Sequence, residues 1–290
     1  MGNPKAGCRI LLYCAALCLL FAGDLRADTI CYEISTSWDQ FGTVDLDTGA
    51  VTAISAPEYH EANLGVYDGS LYTASSGELF TVNAATGSIA PAWVENQFGM
   101  HLVDMGSTLD GLYGVGYGTD DGTSWSDLGL YSISTVTGSA TLVGLTGLAS
   151  NTDVGLSTNS STLYFGDGND LYTIATTTGA VAHIGSFGAG TNTYQMGAMT
   201  TIDGVLYGAD INNYTIDTIN TITGAATPGA ATRAIYGLAP DPLPSGGSST
   251  PEPGSWSLLV AGAGGLMIAK RIRRGFSTEQ RRNATDSLRA

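Results

Sequence analysis

The chain has 290 residues and a formal net charge of −15, but its charge is segregated: between Asp28 and Thr250 stand 22 acidic residues and a single cation, Arg233. A stretch with a net charge near −21 repels phosphate backbones and excludes a nucleic-acid partner, and suits a protein that must stay soluble outside the cell. Of four cysteines, Cys8, Cys14 and Cys18 precede residue 27, so Cys31 alone remains for the following domain and neither a disulfide framework nor a thiolate metal cluster can be built.

Residues 1–27 place Lys5 and Arg9 ahead of an uncharged run from Ile10 to Gly23, too short to span a membrane and followed by small residues. This is the pattern of a secretory signal peptide, with cleavage expected after Ala27. Leu17 before Cys18 does not fit a lipoprotein signal. Cys31, at the start of the mature chain, reads as a small buried hydrophobe.

The middle of the chain repeats. Thr-Gly recurs at Thr48-Gly49, Thr86-Gly87, Thr137-Gly138, Thr178-Gly179 and Thr223-Gly224, at steps of 38, 51, 41 and 45 residues. Four places before each threonine stand Val44, Val82, Ile133, Ile174 and Ile219, and after each glycine a small residue, Ala50, Ser88, Ser139, Ala180 or Ala225. β-Branched and aromatic runs of four to six residues between Gly, Asn and Asp clusters are strand signals, and Thr-Gly between two of them is a turn whose glycine takes φ > 0. A glycine-containing strand, two Leu-Tyr or Leu-Phe strands and the strand after Thr-Gly make four per repeat, the arithmetic of a propeller blade. The mature chain starts mid-unit at Thr29–Ile34 and finishes with what reads as an isolated first strand, Ala234–Ala239. Pairing the two closes a ring and removes an exposed edge. The expectation is therefore an all-β, five-bladed β-propeller over residues 28–242, with a six-bladed ring or an irregular solenoid as the alternatives.

Chemical signatures are sparse. His60-Glu61 begins an HExxH pattern that fails at Leu64, and His101 and His183 lie far away in sequence, with His183 in a strand-like repeat slot. No Gly-x-Ser-x-Gly elbow occurs, and no catalytic residue or bound metal is assigned. The third repeat is lengthened by Gly116–Asp127, which gathers Asp120, Asp121, Trp125 and Asp127. Its oxygens match what Ca²⁺ takes and its aromatic rings match a sugar face, while a solvated hairpin loop accounts for the same residues. Tyr72, Tyr113, Tyr131, Tyr164, Tyr172 and Tyr207 are locked to repeat columns and are expected to pack between blades.

Residues 243–250 turn to Pro, Gly and Ser and read as a linker. Beyond it come Pro251-Glu252-Pro253, sixteen uncharged residues from Gly254 to Ala269, then Lys270, Arg271, Arg273 and Arg274. An all-round apolar run ending in cations is a membrane address, read as a transmembrane helix over 254–269 with a cytoplasmic-side stop. A plain C-terminal anchor shares this hydropathy, although the run is shorter than the roughly 20 residues that span comfortably.

Taken together, residues 251–274 resemble the PEP-CTERM sorting domain. The resemblance implies export by the secretion machinery, an inner-membrane tethered precursor, processing by an exosortase, and residence at the cell surface or in the extracellular matrix of a bacterium that makes exopolysaccharide. The chain departs from that pattern by continuing through a polar tail, residues 275–290. The expected function is a binding or scaffold protein, with extracellular polysaccharide as partner. The alternative is a secreted propeller-type hydrolase or lyase with its site at the central channel. Converging carboxylates and a histidine at a channel mouth would mark the enzyme, and small or apolar lining the scaffold.

Overall fold

The computed structural model describes residues 29–35, 40–56, 63–75, 77–92, 100–118, 128–148, 154–158, 160–188 and 193–242. The regular elements among them are all strands, and none of the described residues forms a helix long and apolar enough to cross a membrane. The signal peptide, the linker and the sorting segment with its helix lie outside the described residues.

The strands follow the repeat. β1 (Ile30–Ser35), β2 (Gln40–Asp45) and β3 (Val51–Ser55) precede β4 (Gly65–Tyr67), β5 (Ser70–Ser75), β6 (Glu78–Val82) and β7 (Ile89–Pro91). Next come β8 (Met100–Thr108), β9 (Gly111–Gly118), β10 (Leu128–Ile133) and β11 (Ala140–Leu145), then β12 (Val154–Thr158), β13 (Leu163–Asp167), β14 (Asp170–Ile174) and β15 (Val181–Ser186). The series ends with β16 (Met196–Ile202), β17 (Val205–Asp210), β18 (Thr215–Ile219), β19 (Ala226–Ala231) and β20 (Gly237–Pro240). Three sheets have four strands, in the orders β20-β1-β2-β3, β4-β5-β6-β7 and β11-β10-β9-β8. The closing pair predicted from the sequence is present: β20 runs antiparallel to β1, with Cys31 opposite Pro240 and Ile34 opposite Gly237.

The remaining two meanders are not separate sheets. They join through a short parallel pairing of β12 with β16, Ser157 opposite Met199 and Thr158 opposite Thr200, into one sheet of eight strands. Gly155 permits this approach, since a Cβ there would stand 2.7 Å from the Met196 carbonyl oxygen. Gly106 does the same between β8 and β12, where a Cβ would lie 2.4 Å from Ser157 O. Small residues in the innermost strands thus let neighbouring strands crowd around one axis.

A hydrophobic cluster fills each junction between consecutive meanders. Phe41 and Leu71 share one, Leu79 and Met105 the next, Leu130 and Phe165 a third, and Phe187 and Leu206 a fourth. Val44 and Ile216 belong to a cluster between the last meander and the first, so the order of junctions is cyclic. Each fully buried side chain of this size contributes about 1.5–3 kcal/mol, and the cyclic arrangement leaves no meander without two neighbours. The fold is propeller-like. Tyr72, Tyr131 and Tyr207 are buried in these junctions, and Tyr113, Tyr164 and Tyr172 pack against them from partly buried positions.

The Thr-Gly turns take the expected conformation at every copy. Gly49, Gly87, Gly138, Gly179 and Gly224 have φ of 70°, 67°, 67°, 72° and 78°. Each donates its N–H to the residue four places earlier, at 2.7–2.8 Å. The turn also touches the preceding meander. A Cβ on Gly179 would lie 2.4 Å from Gly144 O on β11, one on Gly224 2.5 Å from Gly185 O on β15, and one on Gly49 2.1 Å from Ala231 O on β19. Glycine is therefore needed twice, for φ and for the close contact.

Candidate functional site: the central axis and the closing seam

The innermost strands β4, β8, β12, β16 and β20 surround the axis, and their polar side chains are largely bonded to one another or to neighbouring backbone. Thr158 Oγ1 lies 2.8 Å from Thr200 Oγ1 and 3.1 Å from the Leu238 carbonyl oxygen, spanning three inner strands. Ser157 Oγ accepts the Tyr164 N–H at 2.8 Å, and the Ser160 N–H donates to Ser107 O. Ser107, Ser157, Thr158 and Thr200 are all buried. Asp104, on β8 beside a register shift, accepts the Met105 N–H at 2.7 Å through Oδ1 and the Leu156 N–H of β12 through Oδ2. Its carboxyl is pushed well above the usual range by burial, against the pull of those two N–H groups.

At one end of the axis the ends of β4, β8 and β20 leave a cavity of ≈ 190 Å³, lined by Val66, Tyr67, Asp68, Gly69, Thr108, Leu109, Pro240, Asp241 and Pro242. Asp68 and Asp241 are exposed on its rim. Asp241 lies close enough to Tyr32 to add to the burial that raises that phenol.

Three further acids are buried that no motif in the sequence marks. Glu33 on β1 is fully buried and paired through Oε1 with Arg233 Nη2, while Arg233 Nη1 donates to Gln40 Oε1. Burial lifts the Glu33 carboxyl to about 7, with Arg233 opposing. Asp217 on β18 is likewise fully buried. Desolvation raises it and nearby Asp210 adds to the rise, while the Thr215 hydroxyl and Gly229 N–H pull it back. Asp210 itself accepts N–H groups from Gln195, Asn212 and Asn213 and so organises the β17–β18 turn. A signal was legible for Asp217: in the repeat column two places before Val44, Val82, Ile133, Ile174 and Ile219, it stands where Phe80, Tyr131 and Tyr172 carry aromatic rings and Gly42 carries none. Gly42 lies opposite Glu33, so the acid of the first sheet fills the space its partner vacates.

Among the histidines, His183 sits on β15 with Nε2 3.3 Å from Asp170 Oδ1 and its ring edge-on to Tyr172 at 5.1 Å, half exposed. Ser186 Oγ also donates to Asp170. The carboxylate stands between serine and histidine, the wrong order for a nucleophile activated by the imidazole. His101 on β8 stacks over Tyr117. His60 lies outside the described residues. Cys31 is buried beside Thr200 and desolvation drives its thiol upward, so it stays a protonated, inert hydrophobe.

The residues assigned from the sequence are not among those the structure describes. Ala27, the loop residues Asp120, Asp121, Trp125 and Asp127, and the sorting residues Pro251, Glu252, Pro253, Lys270, Arg271, Arg273 and Arg274 lie outside the described residues. Among the described residues, no three His, Cys, Asp or Glu side chains are grouped closely enough to hold a metal ion.

No family model and no curated protein matches the sequence. Solved structures do. A chain from a nidogen/laminin complex aligns with a TM-score of 0.48 at 13% identity, over 73% of this chain and 80% of that one. The calcium-binding protein regucalcin from Agrobacterium tumefaciens aligns at 0.43 with 16% identity, over 71% of each chain. A putative gluconolactonase aligns at 0.47 with 12% identity, over 73% and 77%.

Proposed function

We propose that the chain is an exported five-bladed propeller, tethered to the membrane through residues 254–269 and then held at the cell surface or in an extracellular matrix, where it binds or scaffolds polysaccharide. The blade count follows from dividing the eight-stranded sheet at the β12–β16 pairing, which leaves two meanders equal in size to the other three sheets. The observation that carries the scaffold reading is the use of the axis. Thr158, Thr200, Ser157 and Asp104 spend their polar atoms on protein partners, with Thr158 and Asp104 bridging inner strands, so they do not present an open set of acid, base and nucleophile.

Export and tethering rest on the sequence pattern: the leader of residues 1–27, and residues 251–274 with their resemblance to a PEP-CTERM tag. Mass spectrometry of the protein from its native envelope tests that arm. An N-terminus at Asp28 and a C-terminus trimmed near residues 251–253 are expected, and a chain intact to Ala290 would make the tag an ordinary anchor. The binding arm is tested by co-sedimenting the mature protein with exopolysaccharide from the producing cells. Retention on that polymer and no release of sugar ends are expected, whereas release of oligosaccharides without stable retention would assign a hydrolase or lyase.

A further inference from the structure

Glu33 and Arg233 meet where the ring closes. Glu33 lies on β1 between Gly42 of β2 and Leu238 of β20, and Arg233 arrives from the connection between β19 and β20, the passage from the last meander back to the first sheet. Arg233 is the sole Lys or Arg between residues 28 and 250, so no second cation is at hand to share the load.

The pair is incomplete as a charged pair. Among the described residues, Glu33 Oε2 is buried with no donor and Arg233 Nε is buried with no acceptor, while the guanidinium divides its terminal nitrogens between Glu33 and Gln40. An ionised carboxylate is acceptor-only and loses water at both oxygens on burial. One oxygen left bare costs what an unmade buried bond costs, and Arg233 compensates only at the other. Protonation removes the charge whose solvation the bare oxygen has lost. Arg233, with a quarter of its side chain exposed, keeps water and Gln40 when the acid is neutral.

We propose that Glu33 and Arg233 form a proton-operated latch on the ring closure, in which the β1–β20 seam is held more tightly when Glu33 carries a proton than when it is ionised. Among the described residues, the groups packed around Glu33 are uncharged apart from Arg233: Gln40 and Gly42 from β2, Leu238 from β20, and Cys31, a protonated thiol, on the same face of β1. From the last meander, Tyr207 and Ile216 share the Cys31 cluster, while Asp217 alternates with Ile216 and points toward the other junction. Among the described residues, Arg233 is the charge that acts on the carboxyl, against burial. With the seam closed Glu33 titrates at about 7, and in an open seam it returns toward 4.5. The closed seam therefore binds the proton better. Its extra strength is complete below 4.5, falls as pH rises to about 7, and is gone above it.

Hydrogen exchange of the full chain in detergent, read peptide by peptide from pH 5.5 to pH 8 and corrected for intrinsic rates, tests this. Protection across Gly237–Ala239 of β20 is expected to drop at least about tenfold more than protection across β16, since a proton held tenfold more tightly by the closed seam shifts the opening equilibrium tenfold. Glu33→Gln is expected to hold β20 near its acid-pH protection throughout. Equal changes in β20 and β16, a β20 protection that rises with pH, or a Glu33→Gln chain that keeps the wild-type slope would each overturn the latch. If that variant fails to fold, the wild-type comparison of the two strands decides alone.

Discussion

Among single residues, the buried carboxyls control how this domain responds to substitution and to pH. Asp104 accepts one N–H from its own strand and one from β12, so both oxygens are committed. Asp104→Asn keeps one acceptor and turns an NH₂ donor toward a backbone donor, leaving a buried N–H unmet. A loss of about 1–3 kcal/mol is expected, seen as a lower urea midpoint at unchanged slope. The raised pKa values of Glu33, Asp104 and Asp217 share one sign. Each group binds its proton more tightly folded than unfolded, so each contributes stability at acid pH that disappears as pH rises through its folded value. The domain is thus expected to melt higher at pH 5 than at pH 8, and self-repulsion among its acidic surface groups acts in the same direction. Thermal unfolding followed by circular dichroism at both pH values checks this; a higher midpoint at pH 8 would show that the buried carboxyls do not bind their protons more tightly in the folded domain.

Among the structural elements, the Thr-Gly turn is both a hairpin and an inter-sheet contact, and substitution can separate the two roles. Gly204 has φ of 79° with nothing within 4 Å of an added Cβ, so Gly204→Ala should cost only the left-handed penalty of about 1–2 kcal/mol. Gly179, at φ of 72°, would in addition push a Cβ to 2.4 Å from Gly144 O. Gly179→Ala is expected to destabilise by at least about 1 kcal/mol more than Gly204→Ala, measured as the difference in unfolding free energy. Equal effects would mean that the turn can lift off its neighbour at no cost. The side chain opening the turn adds local order in several copies: Asp45, Asn83 and Asn220 accept two N–H groups apiece, whereas Ala175 cannot. The repeat thus tolerates loss of that cap where the glycine and the packing remain.

Across the whole propeller-like domain, the first and last strands hold the ring shut. Deleting residues 237–242 would leave β1 with an unpaired inner edge and remove Leu238 and Ala239 from the clusters on either side of it. Exposed edges recruit other chains, so the truncated protein is expected to elute as oligomers or aggregate in size-exclusion chromatography where the intact protein does not. Because Cys31 lies opposite Pro240, the two ends of the domain are neighbours. A circular permutant joining them and opened at the Asp203-Gly204 hairpin should retain a cooperative transition, checked by urea unfolding.

Strand content, the repeat, the turn conformation and the pairing of the two ends were all legible in the order of residues. They depend on local chemistry, on β-branched and aromatic runs, and on a glycine at a fixed offset, all of which recur and so are visible by self-comparison. The placement of the acids was not legible and emerged with the packing. Glu33 and Asp104 lie in strand runs like any other, and nothing local distinguishes a solvated carboxylate from one enclosed by a neighbouring meander. Likewise the fusion of two meanders through β12 and β16 depends on how closely Gly155 lets Met196 approach, a distance between residues 41 positions apart. Arg233 stood out in the sequence as a lone cation, but its partner, 200 positions away, became visible only when the ring closed on it.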